Sequence, residues 1–226
     1  MLAIIKKELK SYLLTPIGYI FVGLFMLMFG ILFYIGIYTS RYLNFEYVFV
    51  DAIIILTFIT PILTMRMFAE ERKNGTEQLI LTSPRSLVSV VIGKFISALV
   101  IIIFTLAGTL IHFAILKYFG NPNLKIALAT LLGTFLLSMS YASLGMFISS
   151  ITENQIIACV LTVGVLIALM FLPNIHNVFE SISLVYMFDK FSIGVIALDA
   201  VVYYLSFTIL FILLTIINLQ RRKSIK

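Results

Sequence analysis

Phe68-Ala-Glu-Glu-Arg-Lys-Asn-Gly-Thr-Glu-Gln-Leu-Ile-Leu-Thr-Ser-Pro-Arg-Ser86 is a hydrophilic island between two apolar runs, Val48 to Phe68 and Val88 to Leu116. Of the chain's 16 basic and 10 acidic residues, seven belong to it: Glu70, Glu71, Arg72, Lys73, Glu77 and Arg85, with Arg66 at its edge. Each flanking run reaches the roughly 20 residues needed to cross about 30 Å of hydrocarbon at about 1.5 Å per residue. Whatever such a chain connects to in water, it connects to here.

Outward from the island, four further runs are long enough to span: Ile17 to Tyr38, Ile126 to Ile151, Ile156 to Leu172 and Ala200 to Leu219. The expected fold is therefore all-α and polytopic, with six transmembrane helices in one membrane domain over residues 1–226. Barrel strands are excluded because the runs lack period-two alternation and are about twice too long. A content of 62% hydrophobic and 12% charged residues excludes an ordinary soluble globule, since such domains are roughly half apolar and a quarter charged.

The net charge of +6 does not indicate nucleic acid. Its Lys and Arg residues form short clusters between apolar runs instead of a continuous basic face. With both termini inside, the inner side holds Lys6, Lys7, Lys10, Arg66, Arg72, Lys73, Arg85, Lys94, Arg221, Arg222, Lys223 and Lys226, and the outer side only Arg41, Lys117, Lys125 and Lys190. The positive-inside rule then places both termini and the island in the cytoplasm.

Residues 1–14 carry Leu2, Ile5, Leu9, Tyr12 and Leu13 near helical spacing, with Lys6, Lys7 and Lys10 on other faces. This pattern predicts a helix lying in the headgroup layer. A signal peptide is the competing reading, but the apolar run that follows is too long and has no convincing small-x-small cleavage site. Pro61 removes the donor to the Thr57 carbonyl, so a kink is expected in span two, either plainly structural or part of a gate. Small residues four apart, Ser138/Ala142 and Gly145/Ser149, predict that span four packs against other helices.

Beyond Pro173, apolar residues recur at helical spacing from Ile175 to Tyr186, with Glu180, Asp189 and Lys190 among them. Residues 173–199 thus read as external interfacial or re-entrant helices. Asp199 is expected to cap span six.

No catalytic motif is present. There is no Walker A loop, no H-E-x-x-H, no G-x-S-x-G and no C-x-x-C, and the lone Cys159 lies in an apolar run. His112 lacks a second ligand at helical spacing and reads as a packing residue. The deep interiors of the spans hold almost no ionisable group, which argues against an ion-coupled transporter.

Within the island, Glu70 to Asn74 continue span two as a helix and Gly75 suits the left-handed position that ends it. Thr76 and Glu77 start a second short helix, carrying Leu79, Ile80 and Leu81, which Ser83-Pro84 stops. So short a helix is unstable alone and must lie against something, either a partner or its own membrane domain.

These residues resemble the coupling segment of ABC-2 type permeases, E-x-x-x-G-T-x-E-x-L-x-x-x-P, counted from Glu71 through Gly75, Thr76, Glu77, Leu79 and Pro84; here Glu77 follows Thr76 directly. The N-terminal amphipathic helix, the six spans, Ser149-Ser-Ile-Thr-Glu-Asn-Gln155 and the Phe191 to Leu205 region extend the likeness to gliding-motility-type bacterial members, over nearly the whole chain. The resemblance implies a multi-pass permease of the bacterial inner membrane that binds no nucleotide itself.

Two permeases, identical or different, would pair with two separate ATPase subunits that bind ATP and Mg. Residues 69–87 would be the coupling segment, with Glu70, Glu71, Gly75, Thr76, Glu77, Leu79 and Pro84 toward the ATPase and Asn154 and Gln155 as a second contact. Closure of the ATPase would then reach spans two and five and drive export. A membrane anchor that recruits a cytoplasmic partner, or an ion-coupled transporter, are the alternatives.

Overall fold

A computed structural model describes residues 1–40, 45–82, 86–120, 122–174 and 183–225. Pro84, Ser83 and Arg85 of the island, and the apolar positions Ile175, Val178, Phe179 and Ile182, lie outside the described residues. Those described form eleven α-helices and a 3-10 turn, with no strand among them. In order they are α1 (Leu2–Leu14), α2 (Pro16–Ser40), α3 (Phe45–Thr64), α4 (Arg66–Lys73), α5 (Glu77–Leu81), α6 (Leu87–Gly108), α7 (Leu110–Phe119), α8 (Leu124–Ile151), α9 (Gln155–Phe171), α10 (Leu184–Ser192) and α11 (Leu198–Ile225).

Among the described residues five helical stretches are long and apolar enough to cross a membrane: Pro16–Tyr38, Phe45–Lys73, Leu87–Tyr118, Leu124–Ile151 and Leu198–Lys223. The remaining expected span corresponds to α9, which has 17 residues and so rises only about 26 Å. A 3-10 turn, Leu172–Asn174, follows it directly.

One face of α2 explains its place. Phe21, Phe25, Phe29 and Phe33 recur every fourth residue and are all buried, a stripe that a helix presents on one side. They meet Phe45 and Phe49 of α3, with ring centroids 4.9 Å apart for Phe29 and Phe49. His112 stands edge-on to Phe29 and Phe33, at 5.1 Å and 4.9 Å. Among the described residues no group of three His, Cys, Asp or Glu side chains could hold a metal ion.

At the centre is α8, the most buried of the long helices, packed on α3, α4, α6, α9, α10 and α11. Its small residues make that possible. A Cβ at Gly133 would fall 2.6 Å from Phe191, and one at Gly145 only 2.2 Å from Thr64 Oγ1. On α10, Leu184, Phe188 and Phe191 are buried, and the Tyr204 hydroxyl of α11 donates to the Leu184 carbonyl at 2.6 Å. Asp199 stands inside the first turn of α11, one residue past its start, where it pairs with Lys190 and accepts from the Ala200 amide at 2.9 Å.

Pro61 lies inside α3, which runs on to Thr64, and the interruption before α4 comes at Met65. At the start of the chain, α1 turns into α2 at Thr15, where the absence of a side chain at Gly18 admits the Tyr12 carbonyl. Gly93 does the same for Ile4, letting α1 lie on α6.

Gly145→Ala is expected to lower the thermal midpoint of the purified protein. Overpacking costs about 1–3 kcal/mol against a helix-propensity gain of about 1 kcal/mol, and the contacted atoms are Thr64 Oγ1 and Cβ at 2.2 Å and 2.9 Å, too close to backbone to swing aside.

Candidate functional site

The island folds at one end of the bundle, where α1, α6, α8 and α11 each contribute polar groups to it. From α3 the chain passes Met65 into α4, whose first three buried residues, Met67, Phe68 and Ala69, anchor it to the core. Its second half is charged. Gly75 then takes φ +71°, the left-handed conformation that glycine adopts without penalty, and α5 follows.

One flank is an ion cluster shared by three helices. Lys94 of α6 is only 3% exposed, and its ammonium reaches Glu71 of α4 at 2.8 Å and Glu8 of α1 at 3.1 Å. The exposed Lys7 ammonium lies 3.9 Å from Glu71 and 3.7 Å from Glu8. Lys94 also stands over the Phe68 ring, 5.4 Å from its centre. A buried cation is tolerated only when paired in this way. Glu71 Oε2 is buried with no partner among the described residues.

Beside it, Arg66 binds α4 to α1. Its guanidinium donates to Ser11 Oγ at 2.5 Å and Thr15 Oγ1 at 2.8 Å, pairs with Glu70 at 3.0 Å and lies over the Tyr12 ring. The Tyr12 hydroxyl donates to the Leu63 carbonyl at 3.3 Å. Burial, reinforced by the charge of Glu8, raises its pKa well above that of an ordinary tyrosine, so it stays a protonated donor.

The other flank joins α4 to the end of α8. Arg72 donates to the carbonyls of Ser150, Ile151 and Thr152 at 2.5, 2.7 and 3.0 Å, and to Glu77 at 3.2 Å. Arg222 of α11 reaches the same Glu77 at 3.4 Å and the Ile151 carbonyl at 3.3 Å. Asn218 donates to the Ser150 carbonyl at 2.9 Å. Ser149 accepts from the Phe68 and Ala69 amides, both at 3.1 Å, and donates to the Met65 carbonyl at 2.9 Å.

The residues expected from sequence therefore divide into two groups. Glu70, Glu71 and Glu77 spend their charge on Arg66, Lys94, Arg72 and Arg222. Gly75, Thr76 and Leu79 are exposed with Asn74 and Gln78, although the Thr76 hydroxyl turns back to donate to the Glu71 carbonyl at 3.2 Å. Asn154 is exposed and caps α9, its Oδ1 accepting the Ile156 amide at 2.8 Å, and Gln155 is half-buried as the first residue of α9. Pro61 is buried within α3, away from this surface.

Sequence reasoning missed the partners: Glu8, Lys94, Ser149, Ser150, Asn218 and Arg222. Two of them left a signal. Glu8 is the sole acid on α1, and Lys94 lies several residues inside an apolar run, where an unpaired charge is costly.

The assembly defines a class: a multi-pass α-helical membrane protein with a charged surface helix braced to its bundle. The chain belongs to the ABC-2 family of transporter proteins, whose family model matches residues 2–219. It is thus the membrane permease of an ABC transporter, the transmembrane component and not itself the ATPase, and the family works with an ABC ATPase. No individually curated protein matches the sequence.

Lys94→Ala would leave Glu8 and Glu71 without their buried cation and only the exposed Lys7 beside them, at an expected cost of about 3–5 kcal/mol. Lys7→Ala, at the exposed edge, should cost less than about 1 kcal/mol. Unfolding of both purified variants in denaturant measures the difference.

Proposed function

We propose that this permease is half of an ATP-driven exporter, and that its exposed turn and α5 form the coupling helix that docks on a separate ATPase subunit. The observation carrying this reading is Leu79. It is 71% exposed on a helix of five residues, far shorter than a helix that persists alone in water. A short, apolar-tipped helix held out on a braced stalk is suited to a cleft in another protein. Asn154 and the half-buried Gln155 supply the second contact.

Six crossings fit the connections. Arg72 meets the end of α8, and Asn218 near the end of α11 meets the same residues. The chain between them must therefore return to the far end, and α9 with its 3-10 turn is the segment available. Both termini then share the island's side, the cytoplasmic side by the positive-inside rule, in a bacterial inner membrane.

ATP and Mg belong to the partner. The bundle centre is filled by Phe25, Phe29, Phe49, Tyr141 and Tyr204, so a second permease, identical or different, is needed to form a path, and two ATPases complete the assembly. Pro61 leaves the Thr57 carbonyl without its helical donor and marks where α3 can bend as that path opens. The likeness to gliding-motility-type members names no substrate.

Vesicles containing the chain and its ATPase test the function. ATP-dependent movement of solute supports export, while ATPase binding without movement shows a membrane anchor, and movement driven by an ion gradient alone shows a secondary transporter. For docking, Leu79→Lys should abolish ATPase co-purification while leaving the permease's melting temperature unchanged. Glu77→Lys is the contrast: it places a third cation beside Arg72 and Arg222, and should lower the melting temperature as well. Undiminished co-purification with Leu79→Lys overturns the docking assignment.

A further inference from the structure

The break between α3 and α4 has a physical cause that lies on another helix. In an uninterrupted helix the Met65 carbonyl would accept the Ala69 amide, four residues on. Here the Ser149 hydroxyl stands between them, donating to the carbonyl at 2.9 Å and accepting from the Ala69 and Phe68 amides at 3.1 Å. A side chain inserted into the ladder is an established cause of a helix break. It takes α4 out of the hydrogen-bond frame of α3 and seats its first turn on α8.

The reverse contact is made one turn along. The last carbonyls of a helix have no partners within it, and those of Ser150 and Ile151, with Thr152 just past the end, are met by Arg72. Its positive charge also lies at the negative end of the α8 dipole. Each helix thus caps the other. Phe68, Ala69 and Arg72 share one face of α4, so two anchors a turn apart fix its rotation as well as its position. Asn218 and Arg222 tie α11 to the same carbonyls. The Lys94 pair to α6 ends on a flexible ammonium, whereas these bonds end on backbone amides and carbonyls.

We propose that Ser149 and Arg72 are positioning residues, forming a reciprocal latch that makes α4, with the coupling surface at its end, move as one body with α8 and α11 and hinge against α3 at Met65. The route of coupling then runs to the fourth and last spans, in place of the second and fifth. The source of the motion rests on the proposed docking of the ATPase; the latch itself is a property of the permease alone.

The test uses pairs of spin labels on the full chain in lipid nanodiscs, with C159S removing the native thiol. K73C/L132C reads α4 against α8, and K73C/F58C reads α4 against α3; all three positions are exposed. On the permease alone, S149A with R72Q is expected to broaden the K73C/L132C distance distribution by about twofold or more, as release of a locally ordered unit allows. S149T, which keeps the hydroxyl, should restore the narrow distribution when Arg72 is present. An unchanged distribution in the double variant overturns the latch.

With the ATPase added, ATP should shift the K73C/F58C distance and leave K73C/L132C in place. An equal shift in both pairs also overturns it. Failure of the ATPase to bind sinks the docking reading but leaves the first measurement to decide the latch.

Discussion

A helix that ends at the edge of a membrane leaves its last carbonyls facing a region where water is scarce, and they must be met by donors. At the end of α8 those donors come from two other helices, Arg72 on α4 and Asn218 and Arg222 on α11. The arrangement of the island depends on this demand. Arg72 is drawn down onto α8, Glu77 follows to pair with it, and the turn at Gly75 is left pointing outward. A requirement of backbone chemistry thereby fixes the attitude of a surface helix that has too few residues to fix its own.

The charges of the island have two distinct uses. Arg66, Arg72 and Lys94 reach inward to serine, threonine, carbonyl and carboxylate oxygens. What is exposed from Asn74 to Leu79 is uncharged, namely Asn74, Gly75, Thr76, Gln78 and Leu79, with Lys73 as an exposed cation beside it. A segment that reads as charged in sequence thus presents a polar, apolar-tipped surface. A partner covering the Asn74 to Leu79 turn would remove little charge from water, and so avoid the desolvation cost that exposed ion pairs impose.

Much of the architecture was legible because the bilayer sets segment length. Runs of twenty or more apolar residues correspond to helices, and the Gly75 turn followed from the need for a positive φ. The four-residue phenylalanine repeat on α2 and the small residues of α8 likewise encode which faces touch. The partners of the charges were not legible, because they lie far away in sequence: Lys94 is 86 residues from Glu8, and Arg222 is 145 from Glu77. Nor was the break at Met65, since its cause is a serine hydroxyl on α8 and Pro61 supplied a more visible local reason. The shortness of α9 was legible too, since the run from Ile156 to Leu172 is no longer than the helix, which passes into the 3-10 turn Leu172–Asn174.

Those long separations impose an order on biosynthesis. When the island leaves the ribosome, neither the carbonyls that Arg72 will bind nor the ammonium that Glu71 will bind has been made. Glu8 waits for α6, Arg72 for the end of α8, 78 to 80 residues later, and Glu77 for the tail of α11. Until then the segment keeps its charges in water, which holds the nascent loop on the side where it emerged. The island therefore takes its final form only when α11 is in place, so a chain truncated before Asn218 would display it without its full brace.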